Sequence, residues 1–98
     1  LIGSLDHRVV VDNEGSDDFT IVEVHAADSP GQLYHITQAL ADFGINIHKA
    51  FIATEVGQLI DVFYVLDRSG RKIDDIEFKQ EVVNGLMHAI GADEAGSE

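Results

Sequence analysis

The segment Asp28-Ser29-Pro30-Gly31-Gln32-Leu33 is the part of this 98-residue sequence whose residue types best suit binding of a small anion. Ser29, Pro30 and Gln32 have the spacing of a capping box, with proline at the first helical position. The N–H groups at such a helix start lie at the positive end of the helix dipole, and Gly31 has no side chain to block a close approach. The loop predicts either a capped helix start or a carboxylate site, and local geometry favours plain capping.

Histidines are the next candidates for chemistry. Three imidazoles can bind zinc, and His25, His35 and His48 would meet if the first main strand, the first helix and the next strand converge. Neither a helical pair nor a short His-x-His spacing supports this site, so scattered, half-exposed histidines are the favoured interpretation, with His25 and His48 lining an interface. The absence of cysteine excludes disulfides and thiolate metal sites, and it fits a reducing compartment.

No arrangement of residues indicates an enzyme. Serine has no elbow-like glycine setting, paired carboxylates occur only in solvated clusters such as Asp17-Asp18 and Asp74-Asp75, and no phosphate loop is present. We therefore expect a non-catalytic chain without a cofactor.

The strongest enzymatic alternative is a small ferredoxin-like enzyme such as an acylphosphatase. That chemistry needs an arginine in the loop after the first main strand to hold the phosphoryl group. This sequence has Asp28 and Ser29 there, and its arginines are Arg8, Arg68 and Arg71.

Charge and hydropathy limit the partners and the compartment. Six Lys and Arg against eighteen Asp and Glu give a formal charge of −12, which repels a nucleic-acid backbone and an anionic membrane alike. No apolar stretch is long enough to span a bilayer, and no signal peptide is evident, so we expect a cytoplasmic protein. The first residue is Leu1 rather than methionine, a hint that the chain is cut from something longer.

A β-hairpin is predicted at the start of the domain. Arg8–Val11 has the pattern of a short strand, residues 12–17 are dense in turn formers, and Phe19–Ala26 alternates apolar and polar side chains. From Gly31 the period becomes helical. The apolar positions of this helix and its C′ glycine are Leu33, Ile36, Leu40, Phe43 and Gly44.

Two further strands follow, Ile45–Glu55 and Leu59–Leu66, joined tightly at Gly57. The apolar positions of the first change parity along its length, which predicts a bulge near His48-Lys49. Asp61 has the opposite parity from Val62 and Tyr64, so we expect it to face solvent or a partner domain.

A second helix is capped by Asp74 or Asp75 and ends at Gly91. Its apolar stripe consists of Ile76, Val83, Met87 and Ile90, with Phe78, Val82 and Leu86 beside it. So wide a face predicts that the sheet covers one side and a neighbouring helix or second subunit covers the other, and it favours a homodimer.

These segments resemble the ACT domain, a small regulatory module that senses amino acids. Besides the loop at 28–33, the resemblance rests on Gly44-Ile45-Asn46-Ile47, Ala50-Phe51-Ile52-Ala53-Thr54 and Asp61-Val62-Phe63-Tyr64-Val65. More narrowly, the turn at 11–17 and the strand at 61–65 resemble the C-terminal ACT domains of the uridylyltransferase/uridylyl-removing enzyme that modifies PII nitrogen-signal proteins. The match runs from about Arg8 to Ile90.

The order of elements predicts an α+β, ferredoxin-like two-layer sandwich, with two helices on one face of a four-stranded antiparallel sheet. ACT domains have the order βαββαβ, and their last strand pairs with the first, but Ala92–Glu98 is unsuited to a buried strand. We expect Arg8–Val11 to fill that edge instead, in the order ββαββα. Residues 1–7 are then an N-terminal extension, 8–91 the ACT domain, and 92–98 a disordered acidic tail.

The resemblance implies effector binding. ACT domain pairs bind a free amino acid between the loop after the first main strand and the start of the next strand of a partner. Carried over, these positions are Asp28, Ser29, Pro30, Gly31, Gln32 and Leu33 in the loop, and Asn46 and Ile47 in the strand. The Asn46 amide is both donor and acceptor, although a role in starting the strand explains it equally well. Asp28 either receives the effector's ammonium group or caps the helix, and capping is slightly favoured.

Glutamine is the effector that the narrower resemblance implies, whereas the residues themselves indicate only an amino-acid-sized zwitterion. The expected partner is a second copy or a tandem ACT domain, without nucleic acid or membrane. Two alternatives stay open: a dimerisation module that has no effector, and an ACT domain of another amino-acid-regulated protein.

Overall fold

A computed structural model describes residues 7–91 of the chain. Its elements are β1 (Arg8–Asp12), β2 (Thr20–Ala27), α1 (Gln32–Asp42), β3 (Asn46–Glu55), β4 (Gln58–Leu66) and α2 (Ile76–Ala89). The strands form one antiparallel sheet in the order β1-β2-β4-β3. The predicted ββαββα arrangement is confirmed, while the N-terminal extension before residue 7 and the acidic tail at 92–98 lie outside the described residues.

The β1–β2 hairpin supplies the edge strand that the end of the chain was not expected to make. Arg8 is paired with His25 and Asp12 with Ile21, so β1 runs antiparallel along β2. The Asp12 carboxylate accepts hydrogen bonds from the N–H groups of Glu14 and Gly15, which closes the turn. The predicted replacement of the family's last strand is therefore confirmed.

A network that we call the hairpin clamp ties this turn to the segment before α2. Thr20 Oγ1 donates to Asn13 Oδ1 at 2.5 Å and accepts from the Ile73 N–H at 2.8 Å, and Asn13 Nδ2 donates to the Ile73 carbonyl at 2.7 Å. Lys72 Nζ donates to the carbonyls of Asn13 and Ser16. Because every member has a partner, the clamp buries Thr20 without an unmet hydrogen bond.

The core lies between the sheet and the two helices. Its fully buried members include Val22, Val24, Ile36, Leu40, Phe63, Val65, Val82 and Leu86. Asp75 caps α2 by accepting from the Phe78 N–H at 2.8 Å, and Gly91 follows the helix with φ of 86°, as predicted.

The second helix corrects the basis of the predicted homodimer. Val82 and Leu86 are buried within the single chain, and Phe78 packs edge-to-face on Phe43 of the α1 end with ring centroids 6.0 Å apart. Gly85 allows this approach, since a Cβ there would lie 2.6 Å from the Phe43 ring. Ile76, placed in the stripe, is 78% exposed because it occupies the first position of the helix. The side of α2 that carries Phe78, Val82 and Leu86 is thus covered within the chain, by the neighbouring helix that was one of the two predicted covers.

β3 and β4 meet as the sequence indicates. The register shifts between Ile47 and Lys49, which confirms the predicted bulge. A two-residue turn at Val56 and Gly57 joins the strands, with φ of 46° and 78°, the signs of a type I′ turn. Among residues 7–91, no helix is long and apolar enough to cross a membrane.

Candidate functional site

The loop at 28–33 is a tight turn followed by a helix, rather than a capping box. The Gln32 N–H donates to the Ser29 carbonyl at 3.1 Å, and Gly31 has φ of 78° and ψ of 1°. Proline followed by a left-handed glycine is the signature of a type II turn. Ser29 is therefore not the N-cap: the helix begins at Gln32, and Gly31 precedes it.

No side chain caps α1. Asp28 is exposed, and its backbone N–H donates to the Gly57 carbonyl at 2.9 Å, which ties the loop to the β3–β4 turn. The slightly favoured interpretation of Asp28 as a cap is thus wrong, because the type II turn separates it from the helix start. The Gln32 N–H is taken by the Ser29 carbonyl, whereas the N–H groups of Leu33 and Tyr34, which follow Gly31, have no acceptor within residues 7–91.

Gln32 and Leu33 have different surroundings. Gln32 is buried, and its amide donates to the Ile90 carbonyl at 3.4 Å, so this side chain joins α1 to the end of α2. An open groove of about 410 Å³ lies beside it, lined by Ser29, Gln32, His35, His88, Ala89, Ile90 and Gly91. Leu33 is 39% exposed. The groove places the loop next to the point where the chain leaves α2.

Asn46 and Ile47 lie at the opposite end of the sheet from the loop. Asn46 is in register with Leu66, whereas Glu55, at the other end of β3, is in register with Gln58, which also faces Ala27. Nine residue steps of strand separate the two ends, or about 30 Å. A single copy of the chain therefore does not bring Asn46 to the loop.

β3 is exposed along its whole length. All ten residues of this edge strand are exposed, on both faces. Three of its larger apolar side chains, Ile47, Phe51 and Ile52, are among the exposed hydrophobic residues of the molecule. A long apolar edge strand with unpaired backbone groups is a surface on which another strand can add. This surface, rather than α2, is the part of the fold that lacks a cover.

Asp61 lies in the core, so the prediction that it faces solvent or a partner domain is wrong. It is fully buried on the helix-facing side of β4, opposite Val24 of β2 and Ile52 of β3. Neither carboxylate oxygen has a hydrogen-bond partner among residues 7–91, and desolvation by burial raises the pKa of Asp61 from 3.8 to about 6. β4 is apolar on both sides, so parity alone did not identify the core side. The pairing of Phe63 with buried Val22 is the signal that identifies it.

The histidines occupy separate surroundings. His25 is buried on the outer face of β2, with Nε2 2.5 Å from Glu23 Oε2 and 3.3 Å from an Arg8 guanidinium nitrogen. The His48 ring lies 5.3 Å from the Phe19 ring, beside the β3 bulge. In the part of the chain that the structure describes, no group of three His, Cys, Asp or Glu residues is placed to hold a metal ion.

Comparison with known proteins identifies the family. The model of the ACR family N-terminal ACT domain matches residues 15–97. The chain belongs to the ACT domain family. The match covers the type II turn, the exposed strand β3 and Asp61, and it begins after β1.

Relatives of this ACT domain include long enzymes and plant proteins. It is 43% identical over 90 residues to the bifunctional uridylyltransferase/uridylyl-removing enzyme of Cereibacter sphaeroides, covering 90% of this chain and 10% of that enzyme. It is 35% identical over 91 residues to the ACT domain-containing protein ACR2 of Arabidopsis thaliana, covering 93% of this chain and 17% of that protein. The chain thus spans less than a fifth of the length of either relative.

A solved structure agrees with the fold. The crystal structure of an unknown protein from Galdieria sulphuraria superposes with a TM-score of 0.56 at 20% identity, over 71% of this chain and 37% of that one. This likeness supports the two-layer arrangement.

Proposed function

We propose that this ACT domain is a non-catalytic, cytoplasmic regulatory module that binds a small amino acid, with glutamine as the first candidate. In this proposal it controls a PII uridylyltransferase/uridylyl-removing enzyme in nitrogen regulation. The similarity to such an enzyme in Cereibacter sphaeroides supports the parent, and the open helix start beside Gly31 supports an amino-acid carboxylate as ligand.

The exposed edge of β3 is the observation that carries the proposal. If a second copy adds antiparallel to this edge about a two-fold axis, the Asn46 end of one β3 lies beside the Glu55 end of the other. Glu55 is next to the β3–β4 turn, whose Gly57 carbonyl holds the Asp28 N–H. Pairing therefore brings Asn46 of one copy to the loop of its partner, across the distance that one copy alone leaves open.

The chemistry of such a shared site suits a zwitterion. The first-turn N–H groups of α1 and the bare Gly31 receive the α-carboxylate, Asp28 borders the entrance, and the Asn46 amide reaches in from the partner as donor and acceptor. Ser29 and Pro30 hold the turn, Ile47 supports the start of the strand, and Gln32 and Leu33 fix the helix behind it. A tandem ACT domain that presents the same edge serves as well as a second copy.

Regulation follows from where the loop lies. β1 begins opposite His25, three residues before Asp28, and the groove beside the loop is lined by Gly91 at the end of α2. An effector at the loop therefore acts next to both segments that connect this domain to flanking chain. Effector binding that favours one arrangement of those segments biases the activities they lead to.

Calorimetry of the purified chain against the common amino acids tests the proposal, together with Asn46→Ala. Losing the amide contacts weakens effector binding by about 1–3 kcal/mol, roughly tenfold to hundredfold in Kd. The thermal midpoint moves little, because Asn46 is exposed at a strand start. Asn84→Ala is the matched control: Asn84 is exposed on α2, where its side chain accepts only from Gln80 among the described contacts, and its loss leaves affinity unchanged.

Two results contradict the proposal in different ways. Unchanged affinity in Asn46→Ala shows that the site lies elsewhere. Absence of binding by any amino acid at millimolar concentration, combined with a dimer in light scattering, favours the dimerisation module that lacks an effector. The exposed β3 edge supports that second candidate equally, since edge pairing needs no ligand. A different preferred amino acid indicates an ACT domain of another amino-acid-regulated protein.

A further inference from the structure

Asp61 is a buried acid whose carboxylate has no partner in the part of the chain that the structure describes. Its side chain is 0% exposed, and neither oxygen has a hydrogen-bond partner among residues 7–91. The side chains on either side of it in the sheet are those of Val24 and Ile52, and its neighbours on the same face of β4 are Leu59 and Phe63. An apolar residue at this position would complete the core, so the carboxylate is not needed for packing.

The rest of the core shows that this chain does satisfy buried polar groups. Thr20, also fully buried, has both hydrogen-bond partners in the hairpin clamp, and buried Gln32 bonds the Ile90 carbonyl. Burial without a partner costs several kcal/mol for a charged group, which is why the pKa of Asp61 rises to about 6. An acceptor left open in an otherwise satisfied core points to a donor that residues 7–91 do not supply.

Asp61 lies on the helix-facing side of β4, in the half of the strand that is nearer the loop. It is three residues from Gln58, where β4 meets the end of β2, or about 10 Å from the edge that holds the loop. Ile52 is its only cross-strand neighbour toward the open edge, and this side chain is 47% exposed. An approach to the carboxylate from the open edge of the sheet therefore has to displace Ile52.

We infer that Asp61 selects the effector by the far end of its side chain. The Asp61 carboxylate accepts a hydrogen bond from a terminal amide or ammonium group of the effector, while the effector's α-carboxylate lies at the start of α1. This inference rests on the proposed function. The α-amino group is bonded to the same carbon as the α-carboxylate and stays with it at the loop. A terminal donor on a side chain of two to four methylenes lies several bonds farther from the α-carboxylate, and its hydrogen bond to the Asp61 carboxylate is expected at about 2.9 Å.

The expected specificity follows from the charge of Asp61. Glutamine and lysine present donors to an ionised carboxylate, glutamate presents a second negative charge, and norleucine presents no polar group at all. A site built around a buried acceptor rejects an analogue that leaves the acceptor unpaired, because the desolvation penalty then has no compensation. Asp28, exposed to water, discriminates far less, since solvent screens its charge.

Asp61 also makes the preference depend on pH. Within residues 7–91, the strands on either side of Asp61 present Val24 and Ile52, and the residues buried on the helices, none of them titratable, are Gln32, Ile36, Leu40, Val82 and Leu86. Below about pH 6 the neutral acid can donate to a carboxylate, so glutamate binding improves. His35 and His88 also line the groove beside the loop, so a pH dependence that persists in Asp61→Asn is not assigned to Asp61.

Calorimetry with glutamine, lysine, glutamate and norleucine tests the inference on the wild-type chain and on Asp61→Asn, at pH 7.5 and pH 5. At pH 7.5 the wild type binds glutamine, lysine or both at least about tenfold more tightly than glutamate and norleucine. At pH 5 its discrimination against glutamate shrinks. Asp61→Asn binds glutamine and glutamate within about threefold of each other at both pH values. Asp18→Asn, the same change at an exposed site, keeps the wild-type pattern.

The outcomes separate this inference from the proposed function. If wild type binds no amino acid, both fail. If it binds an amino acid but does not favour the donor-bearing ones, or if Asp61→Asn keeps the wild-type preference, only the inference fails. If the preference for donor-bearing amino acids is lost in Asp28→Asn and kept in Asp61→Asn, Asp28 is the residue that selects the effector's side chain. Circular dichroism checks folding, and if Asp61→Asn does not fold, the wild-type ligand series and its pH dependence decide alone.

Discussion

Two regions of the molecule, the hairpin clamp and the open edge of the sheet, differ in whether a buried polar side chain has its hydrogen bonds satisfied. At the hairpin clamp, Thr20 is fully buried and every hydrogen bond it needs comes from Asn13 and Ile73. Beside the open edge, Asp61 is equally buried and has no partner. The clamp side is complete within one chain, whereas the β3 side is covered by nothing that the chain itself provides between residues 7 and 91. Among the buried side chains of residues 7–91, the one with unsatisfied oxygens is thus next in the sheet to the uncovered strand.

The largest test of this contrast is the pH dependence of stability in Asp61→Asn, measured without effector. The pKa of Asp61 is about 6 when folded and near 3.8 when unfolded, so between these values the folded state binds more protons. The free energy of unfolding therefore falls by about 3 kcal/mol as pH rises from 4 to above 6. Asp61→Asn lacks this fall, and above pH 6 it is more stable than wild type.

Urea denaturation at pH 4.5, 6 and 7.5 gives the difference between the two proteins at each pH. Asp18→Asn supplies the control, since an exposed carboxylate contributes no comparable slope. A difference between wild type and Asp61→Asn that stays constant with pH would show that the carboxylate is not penalised by burial.

Thr20→Val tests the clamp, with an effect of opposite sign. The change keeps the shape but leaves the Ile73 N–H without its acceptor and Asn13 Oδ1 without its donor. Stability decreases by about 2 kcal/mol, the penalty of an unsatisfied buried group. Thr54→Val on the exposed strand β3 is the matched control and changes stability by less than about 0.5 kcal/mol. Guanidinium denaturation of both variants measures this, and equal losses would remove the contrast between the two regions.

Val56→Asn examines strain at the open side, with the smallest effect. Val56 is a β-branched residue with φ of 46° in a two-residue turn that normally takes Asn-Gly. Asparagine adopts this conformation more readily, so we expect a gain of about 1 kcal/mol in the free energy of unfolding. Val56 is fully exposed, so no core contact is lost and the thermal midpoint reports the strain directly. A lower midpoint would show that the valine side chain stabilises the turn.

The helices and strands can be predicted from the sequence where periodicity and turn chemistry agree. The hairpin, the bulge near His48-Lys49 and the cap at Asp75 follow from local patterns that few alternatives share. Pro30-Gly31 fits both a helix start and a type II turn, and the hydrogen bond from Gln32 to Ser29 decides for the turn. The local sequence alone therefore does not determine whether a side chain caps α1.

The site was harder to predict, because it depends on which faces are covered. The sequence pattern predicts that Phe78 is available to a second subunit, whereas in the structure Phe78 packs on Phe43 of the same chain. Asp61 looked like a surface residue, since a strand apolar on both sides does not reveal which side the helices cover. Both errors concern packing between distant segments, which periodicity within one element does not encode.

The position of β1 in the order ββαββα also bears on how the chain reaches its fold. In the order βαββαβ, the edge is closed by pairing the first strand with the last, across almost the whole domain. Here the corresponding edge pairs Arg8 with His25 through a short turn. Folding rates rise as contacts become more local, because less chain entropy is lost before a contact forms. We therefore expect β1 to pair with β2 early in folding, before β3 has joined the sheet.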